Sequence, residues 1–255
     1  MTLFLASVRD VTEAEIALSA SADIVDLKEP ANGSLGAVDR AASAAILSAL
    51  AGRIATSATI GDLPMQPAAM ESAVLERASF GVDYVKIGLF ADGDPKACLD
   101  GLCAHAASIK LIVVLFADRP PSFDAVAAAA RIGAAGIMLD TAGKGSGSLL
   151  DHLTLGEVAR FVARGKAQGL AVGLAGSLRA AQVPALLDLK PDVLGFRGAL
   201  CRGARTDRLD LNAARAIRAL IPNIQSPPTR RAGRGAMLGD ESFGVMECGA
   251  TWKSA

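Results

Sequence analysis

Neither sign of charge is in excess: 26 acidic and 26 basic residues balance in a chain of 255. No overall basic field argues for nucleic acid, and no acidic surplus argues for a solvating tail. Cysteine is scarce. The four present, at 98, 103, 201 and 248, form neither a CxxC pair nor a Cys/His metal spacing, which points to a reducing, cytoplasmic setting. The two histidines, His105 and His152, have no metal-ligand company in the sequence, and no metal site is expected. The N-terminus lacks a basic region followed by a long apolar run, so no leader is expected. Apolar runs are broken by charge or glycine well before the ~18 residues of a membrane span. No GxGxxG follows the first apolar run, which continues into Ser7-Val-Arg-Asp, and this argues against an open dinucleotide-binding sheet. What is present is 51% hydrophobic and 20% charged. Such a composition predicts a soluble globular protein with a large core and a small-molecule partner, binding neither nucleic acid nor membrane. A homo-oligomer is expected, though composition does not decide the oligomeric state.

Short β-type runs alternate with Ala-rich helical segments. LFLASV (3–8), DIVDLK (23–28), RIATSATI (53–60), DYVKIGLF (83–90) and KLIVVLF (110–116) are followed by AGIMLD (135–140), LAVGLAG (170–176) and DVLGFRG (192–198). Eight such units predict a single (β/α)8 TIM barrel of α/β class. Asp10 is a candidate N-cap, 39–51 and 67–79 read as helices, and 207–221 supplies a closing helix that Pro222 stops. Four strand entries, SADIVDLK, GVDYVKIG, GAAGIMLD and KPDVLGFR, look alike, as reuse of one βα unit would produce. The expected organisation is a catalytic barrel over 1–222 and a C-terminal extension over 223–255, whose mixture of Pro, Gly, Ser and Arg has no periodicity and predicts loose order.

Charges inside the predicted strands single out a site. Asp26 and Lys28 are two residues apart and share a face, about 6.5 Å from each other along the strand. Facing outward they would lie under helices without partners; facing inward near the C-terminal mouth they reach the place where barrel enzymes do chemistry. Lys86 in DYVKIG and Asp140 at the end of the sixth strand join them. A structural ion pair explains any one of these charges, but four from three strands converging on one rim favour an active site. Two lysines in a confined pocket disfavour each other's charge, and a neutral amine attacks carbonyls. Asp26 and Asp140 act in the opposite sense, favouring the ammonium, and can shuttle protons.

An anion-binding end is also legible. GLAGSL (173–178) follows the seventh strand and GFRGAL (195–200) the eighth, the positions where barrels commonly hold phosphate by backbone N–H groups. Gly176, Ser177, Gly195 and Gly198 are the candidates, with Arg197 as a possible guanidinium fork. GKGSGS (143–148) reads as a lid, in which Lys144 could close over an anion.

In this order, DxKEPxxGSLGA, SATIGDLP, DYVKIGL, MLDTAGK, LAGSL and GFRGAxC resemble the (5-formylfuran-3-yl)methyl phosphate synthase (4-HFC-phosphate synthase) family over nearly the whole barrel. The resemblance implies a lyase that condenses two glyceraldehyde 3-phosphates into a furan phosphate for methanofuran-type one-carbon carriers, with no metal or organic cofactor. It makes Lys28 the Schiff-base lysine and Lys86 the proton acceptor, with Asp26, Asp140 and Lys144 as supporting charges. Two triose phosphates also call for a second anion site, for which Arg9, Lys144 and the Asn32-Gly-Ser loop are the candidates. The segment after the fifth strand, LFADRPPSFDA, is shorter than the family's AxYADA-type loop, and 223–255 has no family counterpart. Two other readings fit the residues: a Schiff-base aldolase acting on a sugar phosphate, and a non-catalytic phosphosugar-binding protein, which would have no use for two pocket lysines.

Overall fold

Three aspartates set the strand edges. Asp23, Asp83 and Asp192 each stand just before a strand, and each accepts a backbone N–H from the preceding strand of the barrel: Phe4 at 2.7 Å, Thr56 at 2.8 Å and Val172 at 2.8 Å. These are the aspartates of three of the four similar strand entries, so the repeated sequence has a repeated mechanical role. It satisfies a strand-end donor that has no ladder partner. The fourth entry, GAAGIMLD, has Ala135 at this place and keeps only a backbone link, its N–H donating to Leu111 O at 2.9 Å.

The computed structural model describes residues 1–120, 124–143, 145 and 147–222. Strands β1 (Leu3–Val8), β2 (Ile24–Leu27), β3 (Ala55–Thr59), β4 (Tyr84–Gly88), β5 (Leu111–Phe116), β6 (Gly136–Asp140), β7 (Ala171–Leu174) and β8 (Val193–Phe196) pair in sequence order, all parallel. β8 returns to β1, closing the barrel. The eight expected strands are all present, each within the run that predicted it. The extension over 223–255 lies outside the described residues.

Helices α1 (Val11–Ser19), α2 (Arg40–Leu50), α3 (Pro67–Ser79), α4 (Pro95–Gly101), α5 (Ala125–Arg131), α6 (Leu149–His152), α7 (Leu155–Ala167), α8 (Val183–Asp188) and α9 (Leu211–Leu220) run between and after the strands. Asp10, Asp39, Asp94, Asp124 and Asp210 cap five of them, each accepting the N–H three residues on. The closing helix begins later than expected from 207. Leu209 is held in a bridge with Cys201, and Asp210 is the N-cap, so 207–209 cannot be helical.

Alternation sorts the strand residues into two cores. Outward side chains such as Phe4, Val25, Val85, Ile137 and Val172 pack under the helices. Inward ones, among them Leu5, Ile24, Val114 and Met138, fill the barrel. Above that apolar fill, the inward positions turn polar, and the site begins there.

Candidate active site

The registers Ser7↔Asp26 and Asp26↔Ser57 place one polar layer across β1, β2 and β3. Asp26 is fully buried. It accepts from Ser57 Oγ at 2.6 Å, Ser7 Oγ at 3.0 Å and Lys86 Nζ at 3.0 Å. Burial raises its pKa, but the charges of Lys86 and Lys28 and the Ser57 bond more than offset this, and the carboxyl is held below its usual range. Asp26 is thus a fixed anion, and the β4 lysine is oriented on it.

Lys28 stands one residue beyond β2, its N–H bonded to Val8 O at 2.9 Å. Its Nζ is 3.5 Å from Asp140 Oδ2, a looser contact than that of Lys86. Asp140 at the end of β6 also accepts the Thr141 N–H at 2.7 Å. Both lysines are almost fully buried, yet both line a cavity of about 570 Å³ at the C-terminal mouth, together with Ser7 and Asp140. Asp26 lies beneath its floor. The four charges expected to converge therefore do so, as two lysine–carboxylate pairs.

Gly176, Ser177, Gly195, Arg197 and Gly198 line the same cavity. The turn after β7 has left-handed φ at both Gly176 (+97°) and Ser177 (+48°). A Cβ on Gly176 would come within 3.0 Å of the Thr141 side chain and 3.1 Å of its backbone N, so only glycine lets this turn lie against the end of β6. Arg197 departs from the expected fork. Its guanidinium pairs with Glu13 and donates to the carbonyls of Ser7, Arg205 and Asp207. All five donors are taken by protein acceptors, which leaves none for a phosphate. Lys144 lies outside the described residues. Arg9, a candidate for a second anion, donates to Thr206 O and sits near Glu13, away from the cavity lining.

Several residues that build the site are not among the candidates singled out above, although Asp62, Leu35 and Gly88 stand within the SATIGDLP, GSLGA and DYVKIGL motifs. Asp62 accepts from Ser34 N, Ser34 Oγ and Leu35 N, pinning the Gly-Ser-Leu-Gly turn over the mouth. Leu35 is thereby buried in the barrel's inner core beside Phe116. Gly88 leaves room for it, since a Cβ there would stand 2.7 Å from Leu35 Cδ1. This explains why GSLG and YVKIG belong to one site. Asp118, in the segment after β5, accepts the N–H groups of Ala142 and Gly143 at 2.8 and 2.7 Å and steadies the chain beyond Asp140. Arg205, in the segment between β8 and α9, lines the cavity and donates to Pro30 O and Gly33 O. His105 lies elsewhere, bonded to Glu71.

Residues 4–218 match the sequence model of 4-HFC-P synthase. The chain belongs to the 4-HFC-P synthase family. It is an enzyme, a lyase-type synthase. It is 33% identical over 223 residues to the (5-formylfuran-3-yl)methyl phosphate synthase of Archaeoglobus fulgidus, covering 80% of this chain and 93% of that one. Identity to the Methanopyrus kandleri enzyme of the same name is 36% over 208 residues, covering 76% and 87%. A Methylorubrum extorquens protein to which the same activity is attributed is 40% identical over 216 residues, covering 85% and 89%. Among solved structures, phosphoribosyl anthranilate isomerase from Thermus thermophilus superposes with a TM-score of 0.58 at 17% identity, covering 86% of this chain and 98% of that one. For 3-hexulose-6-phosphate synthase the values are 0.55, 19%, 87% and 100%. At such identities these two share the barrel fold alone. Among the described residues of this synthase-family chain, no helix is long and apolar enough to cross a membrane.

Proposed function

We propose that this protein condenses two molecules of glyceraldehyde 3-phosphate, through an imine on Lys28, into (5-formylfuran-3-yl)methyl phosphate with loss of phosphate and water, in the formation of a methanofuran-type cofactor. The observation that carries this reading is the pair of buried lysines, each on its own carboxylate, opening on one cavity.

The pairs divide the chemistry. Lys28, 3.5 Å from Asp140, passes a proton to that carboxylate and attacks the aldehyde carbon as the free amine. Lys86, an ammonium beside Asp26, protonates the departing hydroxyl of the carbinolamine, and water leaves as the iminium forms. The Lys86 amine left behind then takes the proton from the carbon next to the iminium, giving the enamine and restoring the ammonium. The enamine expels the phosphate from the carbon beyond it, and the terminal enol carbon so formed bonds to the carbonyl carbon of the second triose, which has isomerised to its ketone form. A hydroxyl of the second triose then closes the ring, two waters leave to give the furan, and hydrolysis of the iminium frees Lys28 and restores the aldehyde; aromatisation makes the sequence effectively one-way. The cavity must hold two anionic substrates together and keep bulk water from the imine. The turn at Gly176-Ser177 and the segment at Arg197-Gly198 that follows Gly195 and the end of β8 serve one phosphate through backbone N–H groups.

Borohydride added with glyceraldehyde 3-phosphate tests the assignment. It should fix substrate mass on the peptide carrying Lys28, and Lys28→Arg should show neither adduct nor furan, because a guanidinium stays charged at accessible pH. An adduct on Lys86, or turnover by Lys28→Arg, would overturn it.

A further inference from the structure

Five cationic side chains line the cavity wall, and four of them are already neutralised. Lys28 pairs with Asp140, Lys86 with Asp26, Arg179 with Asp151 at 2.6 Å, and Arg197 with Glu13. Arg205 is the fifth. Among the described residues it alone of the five has no carboxylate within ion-pair distance. Asp140, Asp62 and Glu29 act on its charge only from farther away, and half-burial disfavours that charge.

Its geometry is fixed nonetheless. One terminal nitrogen donates to Pro30 O at 2.7 Å and the other to Gly33 O at 3.0 Å. These are neutral carbonyls of the turn that follows Lys28, a turn itself held by Asp62 through Ser34 and Leu35. A guanidinium has five N–H donors; the other three of Arg205 meet no acceptor among the described residues. A half-buried cation, oriented by carbonyls and facing a cavity with donors to spare, is suited to an anionic ligand group with several oxygens.

The geometry points to Arg205 as the ligand for the phosphate of the second triose, the one that does not form the imine. This rests on the function proposed above. The Gly176-Ser177 turn lies against Thr141 at the end of β6, and its Gly176 O accepts from Leu149 N at the start of α6 at 2.8 Å. Arg205 is tied instead to the β2 side. In the closed order β6-β7-β8-β1-β2 these anchors are four strands apart; the Arg205 Cβ lies beside Gly198, but its guanidinium reaches across to the β2 turn, so one cavity carries two separate places for phosphate. Backbone N–H groups form the first, and a guanidinium forms the second.

The bland alternative is a clamp that only joins two loops. Arg205→Gln distinguishes the two, because its amide can still donate to one loop carbonyl but has no charge, while Arg205→Lys keeps the charge without the fork. Furan formation is measured against glyceraldehyde 3-phosphate concentration, the borohydride adduct is measured at saturating substrate, and inorganic phosphate is titrated calorimetrically. Arg205→Gln should raise the half-maximal substrate concentration about tenfold or more and weaken phosphate binding by a similar factor. The Lys28 adduct should stay within about twofold of wild type, and Arg205→Lys should recover part of the loss. Unchanged substrate and phosphate dependence, or an adduct that falls in step with furan output, would overturn the assignment. If Arg205→Gln fails to fold, Arg205→Lys decides by the same readouts, with a smaller shift supporting the assignment and none refuting it. If the wild type makes no furan, the proposed function fails, while the phosphate titration still decides whether Arg205 binds an anion.

Discussion

Lys86 and Lys28 are chemically the same group, and their partners separate them. Lys86 is 3.0 Å from a carboxylate that Ser7 and Ser57 also hold, whereas Lys28, among the described residues, has a single polar side-chain contact, at 3.5 Å. Lys86→Met should therefore keep most of the trapped Lys28 imine and lose furan output by about 10²-fold or more, the usual scale of general acid–base catalysis. Undiminished output would reject the role. Asp26 gives a stability prediction with a sign. Its folded pKa is below the ordinary 3.8, so its contribution is fully present above about pH 4 and is lost as pH falls through the depressed folded value. Asp26→Asn leaves Lys86 buried without its anion and should cost about 3–5 kcal/mol at pH 7. That gap should narrow in denaturant titrations as pH drops below about 4; a gap independent of pH would contradict the account. The charges of the two pairs are legible in the sequence, because a charge inside a strand is conspicuous. Their pairing is not, since it depends on barrel register. Arg197 shows the same limit: its residue type suits a phosphate, but buried Glu13, 184 residues away in the chain, holds it.

At the scale of elements, strands and caps are the most readable, because alternation and Asp before a helix act locally. The repeated Asp before β2, β4 and β8 is visible as a pattern; its function, bonding an N–H of the preceding strand, needs the closed sheet. Asp192→Ala should leave the buried Val172 N–H unsatisfied and cost about 1–3 kcal/mol, read as a lower denaturation midpoint with an unchanged slope. Stability equal to wild type would show that the N–H finds another acceptor. The start of α9 escapes a sequence reading because the bridge between Cys201 and Leu209 links residues whose pairing has no periodic signal. Arg205 lies in that same irregular segment. Arg202, Arg205 and Arg208 look alike in sequence; only contact with the β2 turn distinguishes one of them.

For the whole molecule, closure of β8 on β1 and the packing of α9 beside α1 complete a compact unit over Met1–Pro222. We expect a chain ending at Pro222 to keep the melting temperature and furan formation of the full chain; insolubility or loss of most activity would contradict this. Function is the level at which fold says least. The barrel is shared with enzymes of other activities at 17% and 19% identity, and the reading rests on the two lysine pairs and the family. The most direct test is to incubate the purified protein with glyceraldehyde 3-phosphate alone, following the ultraviolet spectrum and released inorganic phosphate together. The account predicts a growing furan absorbance with one phosphate released per furan. An aldol product formed reversibly, without absorbance or phosphate release, would contradict it.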